Sequence, residues 1–430
     1  MNFLPNVIFA IILFIGAGFF AWNIRKLKRN IYLGKSVDIS GDSKTRWKNM
    51  ARIALGQSKM VRRPISGILH IIVYIGFVII NIEVLEIIID GLFGTHRIFS
   101  GIGSLYGVLI GTFEILATLV FIAVVIFWFR RNVVKIKRFL SSEMKGWPKL
   151  DGNLILYFEI VLMGLFILMN AADAEFQSMN SGNVISQFFA PLFEGLNVHL
   201  IERVAWWMHI TGILVFLNYL YYSKHLHILL AFPNTYFGNI NPKGQFNNLE
   251  AVTNEVKLMM DPNVDPFAAT DDAGAVPDKF GASDVQDLNK IQLLNAYSCT
   301  ECGRCTSECP ANQTGKKLSP RKIMMDTRDR LVEVGINIDA NKGEFVPDGK
   351  QLLGDYVTNE ELWACTSCNA CVEACPISID PLSIILEMRR YLVMEQSAAP
   401  MELNTMMSNI ENNGAPWPYN QMDRLNWKNE

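Results

Sequence analysis

The chain has 430 residues, 50% of them hydrophobic and 19% charged, with a mean hydropathy of +0.20 and a formal net charge of −2. That hydropathy excludes a disordered chain and is too high for an ordinary soluble enzyme. The near-balance of charge gives no support to a nucleic-acid binder.

Five long apolar runs come first. Met1 to Ile24 and Pro64 to Ile82 carry no charged side chain. Ile98 to Phe129 has only Glu114, Gly152 to Ala172 only Glu159, and Val204 to Ser223 none. Each reaches the roughly 20 residues that a helix needs to cross ~30 Å of hydrocarbon. Repetition of such runs predicts membrane spans and argues against buried helices of a soluble protein. The first run lacks the basic start and small-residue cleavage site of a signal peptide, so it reads as a retained helix.

The loops alternate in charge. Arg25, Lys26, Lys28 and Arg29 follow the first span, and Arg130, Arg131, Lys135, Lys137 and Arg138 follow the third. The other two loops are mainly acidic, with Glu83, Glu86 and Asp90 in one and Asp173, Glu175, Glu194 and Glu202 in the other. Positive loops stay on the cytoplasmic side. The expectation is a multi-pass protein of the cytoplasmic membrane, its N-terminus outside and everything after the fifth span inside. Glu83, Glu86 and Asp90 share one helix face at the outer end of the second span. They and Glu114 are candidates to exchange protons within the membrane. A solvated helix end accounts for the first three at least as well, so Glu114 is the preferred catalytic candidate.

Ionisable groups inside a membrane are costly and mark function. His70 lies just inside the cytoplasmic end of the second span. His209 and His227, read as one continuous helix, stand five turns and about 27 Å apart on one face, with His225 opposite. Neutral imidazoles on facing helices suit the axial positions of a haem iron. His70 and His227 come at matched depth and are expected to hold one haem b near the cytoplasmic side. A second, outer haem would use His209, whose counterpart on the second span is the apolar Ile80. His96 and His199 fall in outer loops.

Five spans, an outside N-terminus and spaced histidines on the last helix resemble the haem b gamma subunit of respiratory nitrate reductase and the related membrane subunit of heterodisulfide reductase. The segment Ser223-Lys-His-Leu-His227, followed by Pro233-Asn-Thr-Tyr-Phe, is similar to the end of that helix. The resemblance implies haem b and a quinone substrate. Ile80 departs from it, because the family usually has a second histidine near that place.

Polar sequence follows. The expected division is a five-span haem b domain over 1–232, a linker over 233–286 rich in Asn, Asp, Pro and Gly, a ferredoxin domain over 287–396, and a polar partner-docking tail over 397–430. All 8 cysteines lie between Cys299 and Cys375. They form Cys299-x2-Cys302-x2-Cys305-x3-Cys309-Pro310 and Cys365-x2-Cys368-x2-Cys371-x3-Cys375-Pro376. In this pattern three thiolates hold one [4Fe–4S] cluster and the fourth, before proline, goes to the other. The assignment is Cys299, Cys302, Cys305 and Cys375 to one cluster, and Cys365, Cys368, Cys371 and Cys309 to the second. Structural zinc prefers two separated pairs and explains neither the third cysteine nor the repeated proline.

The interval from Cys309 to Cys365 is long and helix-prone. It resembles the α-helical ferredoxins of the succinate dehydrogenase iron–sulfur subunit and of the heterodisulfide reductase C subunit. Asn295-Ala-Tyr-Ser-Cys299 and Lys316-Lys-Leu-Ser-Pro320-Arg-Lys look like the latter. The fold expected is all-α, a five-helix transmembrane bundle followed by a cytoplasmic α-helical ferredoxin domain.

No Walker-type phosphate loop and no strand-following G-x-G-x-x-G is present, so neither flavin nor nicotinamide is expected. The function expected is electron transfer between the quinone pool and a cytoplasmic iron–sulfur or flavoprotein partner. Alternatives are a subunit of an ion-translocating redox complex and a membrane redox sensor. Asn409 to Pro418 and Arg424 to Trp427 resemble the segment that joins such a ferredoxin to a cysteine-rich CCG domain. This implies a CCG-domain subunit on a separate chain, and by analogy an electron-transfer flavoprotein beyond it.

Overall fold

The computed structural model describes residues 3–39, 41–242, 244–262 and 279–429. Among the described residues the regular structure is helical, with no strand beyond two isolated bridges. Five helices are long and apolar enough to cross a membrane. They are α1 (Leu4–Ile31), α2 (Pro64–Phe93), α3 (Ser104–Asn132), α4 (Trp147–Ala172) and α5 (Val198–Tyr219). A continuous helix pairs its own backbone groups, which hydrocarbon cannot do for it. Phe14, Ile15, Leu105 and Val108 face outward, whereas Glu83, Glu86, Glu114, Asn170 and His209 face inward. Lys28, Arg29, Arg130 and Arg131 close the ends of α1 and α3.

The fifth span does not continue as one helix to His227. The chain tightens after Tyr219, becomes extended at Ser223 (φ −113°, ψ 147°) and restarts as α6 (His227–Tyr236). Two polar groups cause the break. Asp151, buried on α4, accepts from the Tyr219 hydroxyl at 2.5 Å and from the Lys224 N–H at 3.2 Å. The Ser223 hydroxyl caps the new turn by accepting from the His225 N–H at 3.1 Å. His209 and His227 are therefore not in phase on one helix, and His225 lies beside His227 and not opposite it.

The cysteine-rich region is built on α7 (Lys290–Ser298), α8 (Pro320–Ala340) and α9 (Pro381–Met394). Asn289, Ser319 and Asp380 cap their first turns, and proline opens α8 and α9, where a missing N–H costs nothing. α10 (Met401–Asn413) follows with no buried residue.

This region docks on one end of the bundle. Asn30 of α1 donates to the Tyr297 hydroxyl at 2.9 Å, and Arg29 to the Gly335 carbonyl at 3.0 Å. Backbone pairing joins Lys35 N–H to Leu288 O at 2.8 Å and Lys290 N–H to Lys35 O at 3.1 Å. Arg321, fully buried, donates to Arg138 O and Glu143 Oε1, both at 2.6 Å. Asn234 of α6 donates to Ile377 O at 2.8 Å. The expected linker is thus narrower than 233–286. Its start lies in α6, Glu250–Met260 is helical, and Ala282 and Val285 belong to the buried core. Residues 263–278 lie outside the described residues.

Candidate functional site

The two cysteine motifs are built alike. Each winds its first turns with two left-handed residues at equivalent places, Glu301 and Gly303 in one, Ser367 and Asn369 in the other. This turns backbone N–H groups inward, so that the Ser367 N–H reaches Cys365 Sγ at 3.4 Å. Each motif then enters a short helix, Arg304–Glu308 and Ala370–Ala374, ending at the fourth cysteine.

The tertiary fold crosses the motifs. Cys299, Cys302, Cys305 and Cys375 line one small cavity together with Met324, Ile377, Ile379 and Pro381. Cys309 lies beside Cys365 and Cys371. Among the described residues no three Cys, His, Asp or Glu side chains converge on a single metal ion. Thiols that ring a volume suit a cubane of several irons better than a lone zinc ion. Burial and neighbouring thiols push Cys299 up to about 12 and Cys375 up to about 11. Such thiols are inert as free nucleophiles and ionise when a metal takes the proton's place.

Cations stand behind both sets, as a net negative cluster requires. Arg138 and Arg304 are near Cys302, and Lys59 is near Cys375. Burial pushes the Arg138 guanidinium down to about 10. Arg389 donates to Leu362 O at 2.6 Å and Cys365 O at 2.5 Å. Only Arg304 sits inside a motif; the others come from distant segments, and no local pattern signals them. Cys368 is the one exposed cysteine among the described residues.

His70 and His227 face each other with ring centres 6.3 Å apart and planes at 43°. Metal–imidazole bonds of ~2 Å on either side of one iron put ring centres ~6 Å apart, so the pair fits two axial positions. His227 Nδ1 lies 3.2 Å from Lys224 O, which leaves Nε2 for a ligand; His70 Nδ1 is buried without a hydrogen-bond partner. His225 joins this group, 5.4 Å from His227 ring to ring, with its Nε2 3.9 Å from Glu159. Arg304, which donates to Lys59 O at 3.2 Å, is close to His70, so the histidine pair and the first cysteine set meet at one end of the bundle.

His209 is buried against Phe166 of α4, ring centres 6.1 Å apart, and its Nδ1 has no partner. Among the described residues no second histidine ring packs on it. Ile80 is buried one turn from Gly76 on α2, its side chain beside that glycine.

The acidic residues sit at the far end of the bundle. Glu114 accepts from Asn170 Nδ2 at 3.0 Å and from the N–H groups of Ile185 and Ser186 at 2.7 and 3.1 Å. It is an anchor for the loop after α4, which weakens its selection as the proton-exchanging acid. Glu83 and Glu86 are buried, not solvated as a helix end would be. Arg97 donates to Asp173 at 2.7 Å, Asn170 at 2.9 Å and Tyr106 at 3.3 Å.

Residues 298–379 match the family described as a 4Fe-4S dicluster domain. The chain is 29% identical, over 89% of its length, to a Bacillus subtilis protein named "Probable iron-sulfur-binding oxidoreductase FadF", and covers 54% of it. It is 27% identical, over 88% of its length, to the "EtfAB:quinone oxidoreductase" of Syntrophomonas wolfei, and covers 53% of that protein. The chain therefore spans about half the length of these two relatives. Over 26% of its length it is 35% identical to the C subunit of a Methanosarcina acetivorans ferredoxin/F420H2-dependent CoB–CoM heterodisulfide reductase, of which it covers 56%. No solved structure matches the chain. The resemblance of the cysteine-rich region to the heterodisulfide reductase C subunit is thus upheld, and the chain carries an iron–sulfur domain behind five apolar helices.

Proposed function

We propose that this chain is a membrane-bound electron-transfer oxidoreductase subunit linking a quinone to a soluble iron–sulfur or flavoprotein partner. The observation that carries the reading is the meeting of the His70–His227 pair with the first cysteine set across Lys59 and Arg304. Cys299, Cys302, Cys305 and Cys375 would hold one [4Fe–4S] cluster, and Cys365, Cys368, Cys371 and Cys309 the other. His70 and His227 would hold a haem b, with His209 left as a buried histidine. These groups supply one-electron carriers; the chain fixes their spacing and tunes them with Arg138, Arg304, Lys59 and Arg389.

The basic loops support a cytoplasmic position for the cysteine-rich region. A soluble partner would approach at the exposed Cys368, and the tail has Met401, Ile410, Trp417 and Trp427 exposed as candidate apolar contacts. The names of the relatives favour an electron-transfer flavoprotein as the ultimate partner and a heterodisulfide reductase-like iron–sulfur unit next to this one.

The test is cofactor counting on purified full-length protein. Iron and acid-labile sulfide should give about eight of each beyond haem, and a pyridine haemochrome assay about one haem b. His70→Ala should lose the haem and His209→Ala should keep it. Absence of any b-type spectrum would overturn the haem assignment, and about four non-haem irons would overturn the two-cluster assignment.

A further inference from the structure

We propose that Glu83 is a proton-exchange site inside the membrane and that Glu86 connects it to the bundle end opposite the cysteine-rich region. The two carboxyls stand one turn apart on α2, 2% and 3% exposed. Residues spaced i, i+3 have Cβ atoms ~5–6 Å apart, a gap that one bridging water closes.

Their hydrogen bonding differs. Glu86 accepts from the Phe99 N–H at 2.9 Å and from the Tyr106 hydroxyl at 3.2 Å. Glu83 Oε2 is buried and has no partner. An unpaired buried carboxyl oxygen is costly, and a role in stability does not account for it. The anchoring role belongs to Glu114, whose carboxylate has three donors. What remains for Glu83 is a group that comes and goes, a proton or a bridging water.

The surroundings suit that role. Glu83 is faced by Glu86 on its own helix, by Tyr106 and Glu114 on α3, and by Arg97 in the loop after α2. α1 also packs on α2, but at this end it presents Asn6, which donates to Gly91 O at 2.8 Å, and the apolar Phe9. Arg97 stays protonated and so cannot relay a proton, but its fixed positive charge faces the carboxyls. Outward of Glu86, the half-buried Asp90 binds the Arg97 N–H at 2.7 Å and the Ile98 N–H at 3.1 Å, and so holds that loop in place at the surface.

This inference rests on the quinone-linked reading above. Reduction of a quinone consumes two electrons, delivered from the soluble donor through the chain's redox groups, and two protons. Glu83 would give its carboxyl proton to one quinone oxygen, regain a proton through Glu86 from the distal side and give that one to the second oxygen before it is reprotonated. Quinol oxidation runs the same transfers backwards, with Glu83 carboxylate accepting the proton.

The experiment compares full-length wild type, Glu83→Gln, Glu83→Asp and Glu86→Gln in proteoliposomes. Cluster absorbance verifies folding of each. Infrared difference spectra on a pH step should show a carboxylic C=O band that disappears in Glu83→Gln and moves in Glu83→Asp. The rate of cluster reduction by a soluble quinol should fall about 100-fold in Glu83→Gln, the scale of one general acid–base group, and partly recover in Glu83→Asp. A band unchanged in Glu83→Gln overturns the proposal, as does an unimpaired quinol rate in an active preparation. Wild type that exchanges no electrons with quinol refutes the quinone reading, while the infrared band still decides whether Glu83 exchanges protons.

Discussion

Lys224→Met tests how the membrane bundle is fastened to the cysteine-rich region. Glu301 lies between the first two cysteines, with its side chain 2% exposed, and forms ion pairs with Lys224 and, at 2.7 Å, with Arg328. Lys224 also stands 3.7 Å from the buried Asp151 of α4. Deleting the ammonium leaves the buried Glu301 with Arg328 and takes the Lys224 charge away from the buried Asp151. Removing one partner of a buried pair costs about 3–5 kcal/mol. Because Arg328 remains on Glu301, we expect the lower end, about 3 kcal/mol, or roughly 100-fold in the docking equilibrium.

The assay is thermal loss of cluster absorbance in detergent, run as a double-mutant cycle with Glu301→Gln. The pair should be less damaged than the sum of the singles, since the second change removes the charge that the first leaves unpaired. Two losses that simply add would refute the reasoning. Lys224 and Arg328 together hold the Glu301 carboxyl below its usual 4.5 against the opposing effect of burial. Its stabilisation is therefore complete above that ordinary value and fades as pH falls through the lower folded value. Glu301→Gln should lack this acid limb.

Cys309→Ser should remove the cluster held by Cys365, Cys368 and Cys371 and spare the other, leaving about four of about eight non-haem irons by elemental analysis and one set of paramagnetic resonance signals. At Gly34 a Cβ would stand 2.8 Å from backbone atoms of Asn289 and Lys290, so Gly34→Val should part α1 from α7 at a cost of about 1–3 kcal/mol, read as faster proteolysis between the two regions. Asp173 holds the His96 imidazole above its usual 6.5 by accepting its hydrogen bond. That stabilisation is full below 6.5 and is lost as pH rises through the folded value; His96→Phe should abolish the corresponding fall in thermal midpoint.

The parts whose physics is local are legible in the amino-acid order. Apolar run length marks each of the five helices, because a hydrocarbon slab sets a length that any helix must meet, although the runs ending at Ile24 and Ile82 fall short of the helix ends at Ile31 and Phe93. The cysteine spacing points Cys375 toward Cys299, Cys302 and Cys305, and the fold places it there, since the proline after each fourth cysteine turns the chain away from its own motif. Matched depth, together with a helix-face argument that the broken fifth span does not support, pairs His70 with His227, and their rings do face each other with centres 6.3 Å apart.

Whatever depends on which elements meet is settled only in three dimensions. A helical wheel assumes an unbroken helix, and it failed where Asp151, on another helix, captured Tyr219 and Lys224 and bent the chain at Ser223, bringing His225 beside His227. Glu114 and Glu83 both stand between apolar residues in sequence. Donors from residues 170 to 186 reach one and not the other, and this alone separates an anchor from a group free to exchange a proton. Arg138 and Lys59 read as ordinary loop cations, and Arg321 as one more basic residue at the start of a helix. They line the redox end of the molecule because a buried charge takes its partners from whatever the fold brings near, which no local pattern encodes.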